Sequence, residues 1–285
     1  MSVDQLMQVG RRVRRFYEEC SFPGYEELET PYDLVEKARR GLYANLLDEQ
    51  LPLGVKILDA GCGTGQLAMF LSMTNRTVVG IDFSFTSLKK GHDFQQRFGL
   101  RDVHFVQTDL FHLGLRAESF DYVFCNGVLH HTADAYGGFQ ELFRLVKQGG
   151  YLIIGLYNPY GRVMLNLRKA FFRLTNGRLR WLDFFVRQRA LGKEKQRIWL
   201  MDQYANPHEE VFTVEEVLSW FARNHIEYIN SIPKINLSEQ LTATERLFDP
   251  HRSGTRFEHL LSQLGWMFTK GHEGGFFIMM GRKRP

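Results

Sequence analysis

Eight polar side chains follow directly on apolar or β-branched runs: Asp59, Asp82, Asp109, Asn126, His130, His131, Tyr157 and Asn158. Carboxylates so placed can accept hydrogen bonds from ligand hydroxyls or face a ligand cation, and imidazoles titrate near neutral pH and can carry a proton. After the first acid comes Gly61-Cys62-Gly63-Thr64-Gly65, with glycine at every second position and an apolar helical pattern straight after. Glycine admits positive φ and lets a ligand approach where a Cβ would block it. A helix start adds unpaired N–H groups and the positive end of a dipole. The stretch reads as a cofactor turn. Its spacing is not the G-x-G-x-x-G of dinucleotide folds, no G-x-x-x-x-G-K-[ST] loop occurs, and Asp59 would repel a pyrophosphate. A nucleoside bearing an amine or other cationic group, without phosphate, fits these residues. Asp82, seventeen positions after Gly65, suits the two ribose hydroxyls, because a carboxylate offers two acceptor oxygens.

Positioning those side chains takes alternating strands and helices. Strands are expected at 55–60, 77–82, 103–107, 120–125 and 151–156, with helices at 66–73, 87–98 and 136–146. Such alternation implies a parallel sheet covered on both faces, with ligands outside the carboxyl ends of the strands where strand order reverses. Residues 1–54 read as a helical N-terminal cap: Val9, Val13, Phe16 and Tyr17 recur at helical spacing, and a second helix is expected from Asp33 to Leu47. The remainder, 55–285, reads as one α/β domain with insertions at 161–210 and 237–270, the second holding a helix from Thr255 to Leu264. Thr213 and Glu216 form a capping box for a helix running to about Asn224. Strands six and seven are expected at 226–232 and 275–281, and the tail from Arg282 to Pro285 as solvated.

With 285 residues, 44% hydrophobic, the chain can bury a large core but is too polar to be membrane-embedded. No apolar run approaches the ~20 residues of a membrane span. Arg11, Arg12, Arg14 and Arg15 precede no secretory hydrophobic region. Cys20, Cys62 and Cys125 are odd in number and scattered, which argues against a disulfide framework or a metal site and fits a reducing cytoplasm.

Leu58-Asp59-Ala60-Gly61-Cys62-Gly63-Thr64-Gly65 resembles the first motif of class I S-adenosylmethionine-dependent methyltransferases, in their small-molecule-like, type 11/12-like branch. Val79–Ser84, Gln107–Leu110, Phe120–His131 and Leu145–Leu152 resemble the motifs that follow, in the same order and at matching spacing. The resemblance covers residues 55 to about 157. It implies a Rossmann-like, seven-stranded, mostly parallel sheet with an antiparallel last strand, and S-adenosyl-L-methionine as cofactor. By the same resemblance, Asp59 and the backbone of Gly61, Gly63 and Gly65 would hold the methionine portion, with Cys62 at the variable position. Asp82 would bind the ribose and Phe83 would pack on the adenine. Thr108, Asp109 and Leu110 would flank the adenine, and Asn126 and Gly127 would line the sulfonium side.

A sulfonium activates its methyl group toward a nucleophile, whose proton must be removed if it carries one. His130 and His131 are candidate bases, because they follow strand four near the expected methyl position. In the polar stretch Met201–Glu210, Tyr204 and His208 are candidate substrate contacts. Asn158-Pro159-Tyr160 lacks the second proline of the amino-group DNA methyltransferase motif and follows strand five, so it reads as a turn that starts a helix. Between Arg162 and Arg197 eleven basic residues face two acids, Asp183 and Glu194, with Phe171, Phe172, Trp181, Phe184 and Phe185 interleaved. An amphipathic lid with solvated arginines accounts for this pattern; RNA or an anionic membrane surface would also suit it. The expected activity is methyl transfer to an O, N or C nucleophile of a small-molecule or lipid-like acceptor. The alternatives are an RNA-modifying enzyme using residues 161–197, or a cofactor-binding protein without catalysis.

Overall fold

The computed structural model describes residues 3–19, 28–174, 206–268 and 275–284. Helices α1 (Val3–Glu19), α2 (Pro31–Arg40) and α3 (Leu42–Gln50) precede the sheet. The alternation then runs β1 (Lys56–Ala60), α4 (Gln66–Ser72), β2 (Thr77–Asp82), α5 (Phe85–Phe98), β3 (Val103–Gln107), β4 (Phe120–Asn126), α6 (Ala135–Leu145) and β5 (Val146–Tyr157). It continues with α7 (Pro159–Leu174), α8 (Val214–Arg223), β6 (Ile226–Ile232), α9 (Arg256–Trp266) and β7 (Phe276–Lys283).

The seven strands lie in the order β3-β2-β1-β4-β5-β7-β6. Strands β1 to β5 pair in parallel, and β7 runs antiparallel to both β5 and β6. This is the Rossmann-like class I arrangement that the motif order implies. The order reverses between β1 and β4, so their carboxyl ends open the crevice that such sheets use for ligands. Both sheet faces are covered. Leu58, Val123, Ile154 and Phe139 sit in one buried cluster, and Ile57, Phe124, Ile153 and Met69 in the other. Leu34, Leu46, Leu47 and Leu51 of the N-terminal segment join that second cluster. No helix of the described residues is long and apolar enough to cross a membrane.

Four expectations change. The helix expected over 33–47 is two helices, because Gly41 takes an extended conformation (φ −89°, ψ 116°) that closes α2 and opens α3. Strand β5 starts at Val146, five residues early, so Gln148-Gly149-Gly150 lies within the strand, where Gly149 takes φ 73°. Arg282 and Lys283 are part of β7 rather than a solvated tail. Arg282 Nε donates to the Gly149 carbonyl at 3.2 Å, and Lys283 Nζ donates to Glu118 and to the Val146 carbonyl, both at 2.9 Å. Arg162 is not a solvated lid arginine: it is fully buried. Residues 175–205, which include Tyr204, Trp181, Phe184, Phe185 and the basic run from Arg178 to Arg197, lie outside the described residues.

Candidate functional site

The glycine turn leaves β1 with its backbone fixed at both ends. Gly61 and Cys62 N–H donate to the Ile81 carbonyl at 2.7 and 3.0 Å, and Gly65 N–H donates to the Cys62 carbonyl at 2.8 Å. Gly61, Gly63 and Gly65 have φ of 70°, 56° and 78°, the left-handed region that favours glycine. At two of the three the protein also takes the space. A Cβ on Gly61 would stand 2.2 Å from Val128, and one on Gly65 would stand 2.3 Å from Phe105.

Asp82 anchors this turn to β2. Its Oδ2 accepts from Gly63 N–H and its Oδ1 from Ser84 N–H, each at 2.8 Å. Burial raises its pKa, opposed by these hydrogen bonds. Asp59 is buried beside it and is pushed up to about 7 by burial first and by the Asp82 charge second. No salt bridge joins either carboxylate to a cationic side chain among the described residues. Two buried acids with no protein cation form a donor set that suits a ligand bringing its own cation and hydroxyls. The Cys62 thiol is buried and its pKa raised by burial and by both acids, so it is an inert wall.

The adenine-side candidates are more open. Thr108 N–H donates to the Asp82 carbonyl at 3.0 Å. Asp109 is exposed and accepts from Phe111 N–H at 2.9 Å, and Leu110 packs on the core. Gln107 donates to the Phe83 carbonyl at 3.2 Å and ties the two strand ends together. Gly127 has φ 79° and donates to the Gly155 carbonyl at 3.0 Å. Tyr43 of α3 stands beside Asn126, its phenol pKa raised by burial and by Asp59.

Helix α1 closes this edge. The Glu18 carboxylate accepts from Phe85 N–H at 2.9 Å, Thr86 N–H at 3.0 Å and the Thr86 hydroxyl at 2.6 Å, so it caps α5 from outside. Burial alone would raise its pKa, but those hydrogen bonds and Arg14 bring it below the usual range. The Tyr17 carbonyl accepts from the Ser84 hydroxyl at 3.2 Å, and its ring meets Phe83 edge-on with centroids 6.0 Å apart.

Across the crevice, a 3-10 turn over Leu129–His131 places both histidines in the protein interior. The His130 ring meets His131 at 4.2 Å and Tyr157 at 4.3 Å, and its nitrogens carry no hydrogen bond among the described residues. Burial, with the His131 and Arg162 charges, lowers its pKa well below the usual value, so it is a neutral ring. His131 Nδ1 lies 2.8 Å from the His208 carbonyl, and its Nε2 lies 3.4 Å from the Asn206 side-chain amide. A carbonyl only accepts, so Nδ1 carries the proton and Nε2 the lone pair. Burial holds the pKa of His131 down at about 4. His208 supplies that carbonyl, while its own ring turns to Glu210 at 3.7 Å. Arg162 stacks over Tyr157 at 3.5 Å and pairs with Glu209. Asn158 caps α7 by accepting from Tyr160 N–H at 3.0 Å, as its turn sequence suggests.

The structure thus brings Asp59, the glycines and Asp82 together on one side of the crevice, with His130 and His131 among the aromatic groups of the other. Tyr204 lies outside the described residues. Sequence reading missed Tyr17 as a specific contact, Glu18, Tyr43, Asn206 and the buried role of Arg162. Asn206-Pro207 offered a signal, since an amide before proline marks a turn that can face a strand end.

Comparison with known proteins finds similarity in the matched domain and in the fold. Residues 58–154 match a family described as a methyltransferase domain. The ubiquinone biosynthesis O-methyltransferase of Paracidovorax citrulli is 33% identical over 42% of this chain and 51% of its own length. The sterol 24-C-methyltransferase of Aspergillus fumigatus is 32% identical over 36% of this chain and 28% of its own. The chain therefore spans about half or less of the length of these curated relatives. In fold it is similar to a Burkholderia thailandensis 1,6-didemethyltoxoflavin-N1-methyltransferase, with a TM-score of 0.53 and 15% identity over 100% of this chain and 92% of that one. Its five motifs, its strand order and the matched domain make residues 58–154 similar to the class I S-adenosylmethionine-dependent methyltransferases.

Proposed function

We propose that this chain is an enzyme that transfers the methyl group of S-adenosylmethionine to a proton-bearing nucleophile on a small-molecule or lipid-like acceptor. The observation that carries the reading is the pairing, across one crevice, of two buried carboxylates, without a cationic partner among the described residues, with a neutral histidine whose tautomer leaves the lone pair on Nε2. When bound, the cofactor supplies an electrophilic methyl group, its sulfur keeping the bonding pair as the new bond forms. Asp59 faces the cationic end, and Asp82 takes the ribose hydroxyls on lone pairs left over from Gly63 and Ser84. Phe83, with Thr108, Asp109 and Leu110, flanks the adenine, and Asn126 and Gly127 flank the reacting end. His131 Nε2 receives the acceptor proton, and His130 with Tyr157 walls the pocket against water. Relatives named for ubiquinone and sterol methylation support an apolar acceptor.

Incubating the chain with a cell extract and cofactor labelled in its methyl group tests this directly. Label is expected in the lipid or small-molecule fraction, and His131→Ala is expected to lower transfer about 100-fold or more with cofactor affinity unchanged. Label confined to RNA or protein would overturn the acceptor class, and no label in any fraction would overturn catalysis.

Asp59 makes the site pH-dependent. Its carboxyl is pushed up from 3.8 to about 7. Between those values the folded chain holds a proton that the unfolded chain has released, so this group costs stability as pH rises through the window. A cation bound beside it reverses the shift. Cofactor affinity is therefore expected to rise from about pH 6 to about pH 8, with proton release on binding. Calorimetry in buffers of differing ionisation heat measures both, and a flat profile would separate Asp59 from the cationic end.

A further inference from the structure

We infer that Asn206 is a positioning residue that occupies the proton-accepting atom of His131 in the resting site, and that an acceptor O–H or N–H takes its place. The inference deepens the function proposed above and rests on it. Asn206 Nδ2 lies 3.4 Å from His131 Nε2 and 3.1 Å from the Tyr17 hydroxyl. Which end of the amide is nitrogen follows from the network: Asn206 Oδ1 accepts from His208 N–H at 3.3 Å, so the NH2 group faces His131 and Tyr17. Its two hydrogens have two targets, one in the 3-10 turn and one in α1.

The geometry suits a placeholder. At 3.4 Å the bond to Nε2 is longer than the usual N–H···N or N–H···O contact, and a ligand hydroxyl donating at 2.7–2.8 Å would replace it favourably. The other face of the ring is not replaceable, because Nδ1–H is held by a backbone carbonyl at 2.8 Å. The tautomer therefore stays fixed while the lone pair changes partner. Among the described residues, the charged or titratable groups facing the ring come from four elements and the 206–210 segment. His130 lies in the same turn, Tyr17 on α1 at 6.2 Å and Tyr157 on β5 at 6.3 Å. Glu209 and His208 come from the 206–210 segment and Arg162 from α7. No carboxylate of the described residues is hydrogen-bonded to the ring, and burial keeps the ring neutral. One segment thus supplies both the carbonyl that sets the tautomer and the amide that guards the lone pair, and Tyr17 locks the amide from the N-terminal helix. The inferred ligand is an acceptor whose nucleophile carries a hydrogen, such as a phenol, an enol or an amine.

Imidazole nitrogen NMR of the full chain tests this without an acceptor, with the His131 signal assigned by its loss in His131→Gln. Wild type is expected to show the neutral Nδ1–H form. In Asn206→Asp a carboxylate replaces the amide, both ring nitrogens then face acceptors, and the titration midpoint should rise by about two pH units. In Asn206→Ala the tautomer should persist while the Nε2 signal shifts. An Nε2–H form in wild type, or an unmoved midpoint in Asn206→Asp, would overturn the inference. Because the wild-type tautomer is itself a readout, failure of either variant to fold leaves a decisive measurement. Calorimetry with S-adenosylmethionine on the same samples reports separately on the cofactor reading, since these variants leave the Asp82 side untouched.

Discussion

Asp82→Asn is expected to weaken S-adenosylmethionine binding by about 100-fold, the equivalent of ~2.7 kcal/mol. The carboxylate does two jobs at once. It fixes the turn by accepting from Gly63 and Ser84, and its remaining lone pairs meet the ribose hydroxyls in the proposed complex. An amide has one acceptor oxygen, so its NH2 group must face the N–H of either Gly63 or Ser84, donor against donor, and the turn that presents the carboxylate to the ribose loosens. Hydrogen bonds to a charged group contribute roughly 1.5–3 kcal/mol each, which sets the scale. Calorimetric titration at fixed pH measures the change, and circular dichroism checks that the sheet survives. An unchanged dissociation constant would remove Asp82 from the ribose site and leave it as a loop anchor alone.

Arg162→Met should act on stability instead, costing about 3–5 kcal/mol, because breaking a buried ion pair strands the partner charge. The guanidinium is fully buried, stacked over Tyr157 and paired with Glu209. Its loss removes the cation–π contact and leaves Glu209 facing a buried wall of rings. Urea unfolding should show a midpoint lowered by more than ~1 M. The double variant with Glu209→Gln should recover part of that loss, since no uncompensated charge remains. A midpoint equal to wild type would mean that water, not the protein, satisfies Glu209.

The half of the molecule with periodic, locally determined signals was legible in the sequence. Strands β2, β3 and β6 fall on the expected residues, and the Thr213 capping box forms as its spacing implies. The glycine turn and Asp82 were legible because a positive-φ turn and a strand-end acid leave strict residue types behind. The other wall of the crevice was not. Asn206, Tyr17 and His131 come from three segments that meet only in three dimensions, and nothing in their spacing records the meeting. Helix α9 forms where it is expected, but it buries His259 and Gln263 through hydrogen bonds to Ser253, Glu215 and Asn158 while Leu260, Leu261 and Leu264 face outward. Arg162 misled: composition counts it with a solvated basic run, and only packing reveals the aromatic shelf and acid that hold it.

The Glu18 cap has a thermodynamic consequence. It ties α1 to the first turn of α5, three residues beyond the acid proposed to hold the ribose, while Tyr17 of the same helix touches Phe83. Helix docking and cofactor occupancy then share one free energy. Whatever factor the docked helix adds to cofactor affinity, the cofactor must add to helix docking. The order of helix α1 would in that case be a readout of cofactor occupancy, set by reciprocity rather than by any contact the helix makes with the acceptor.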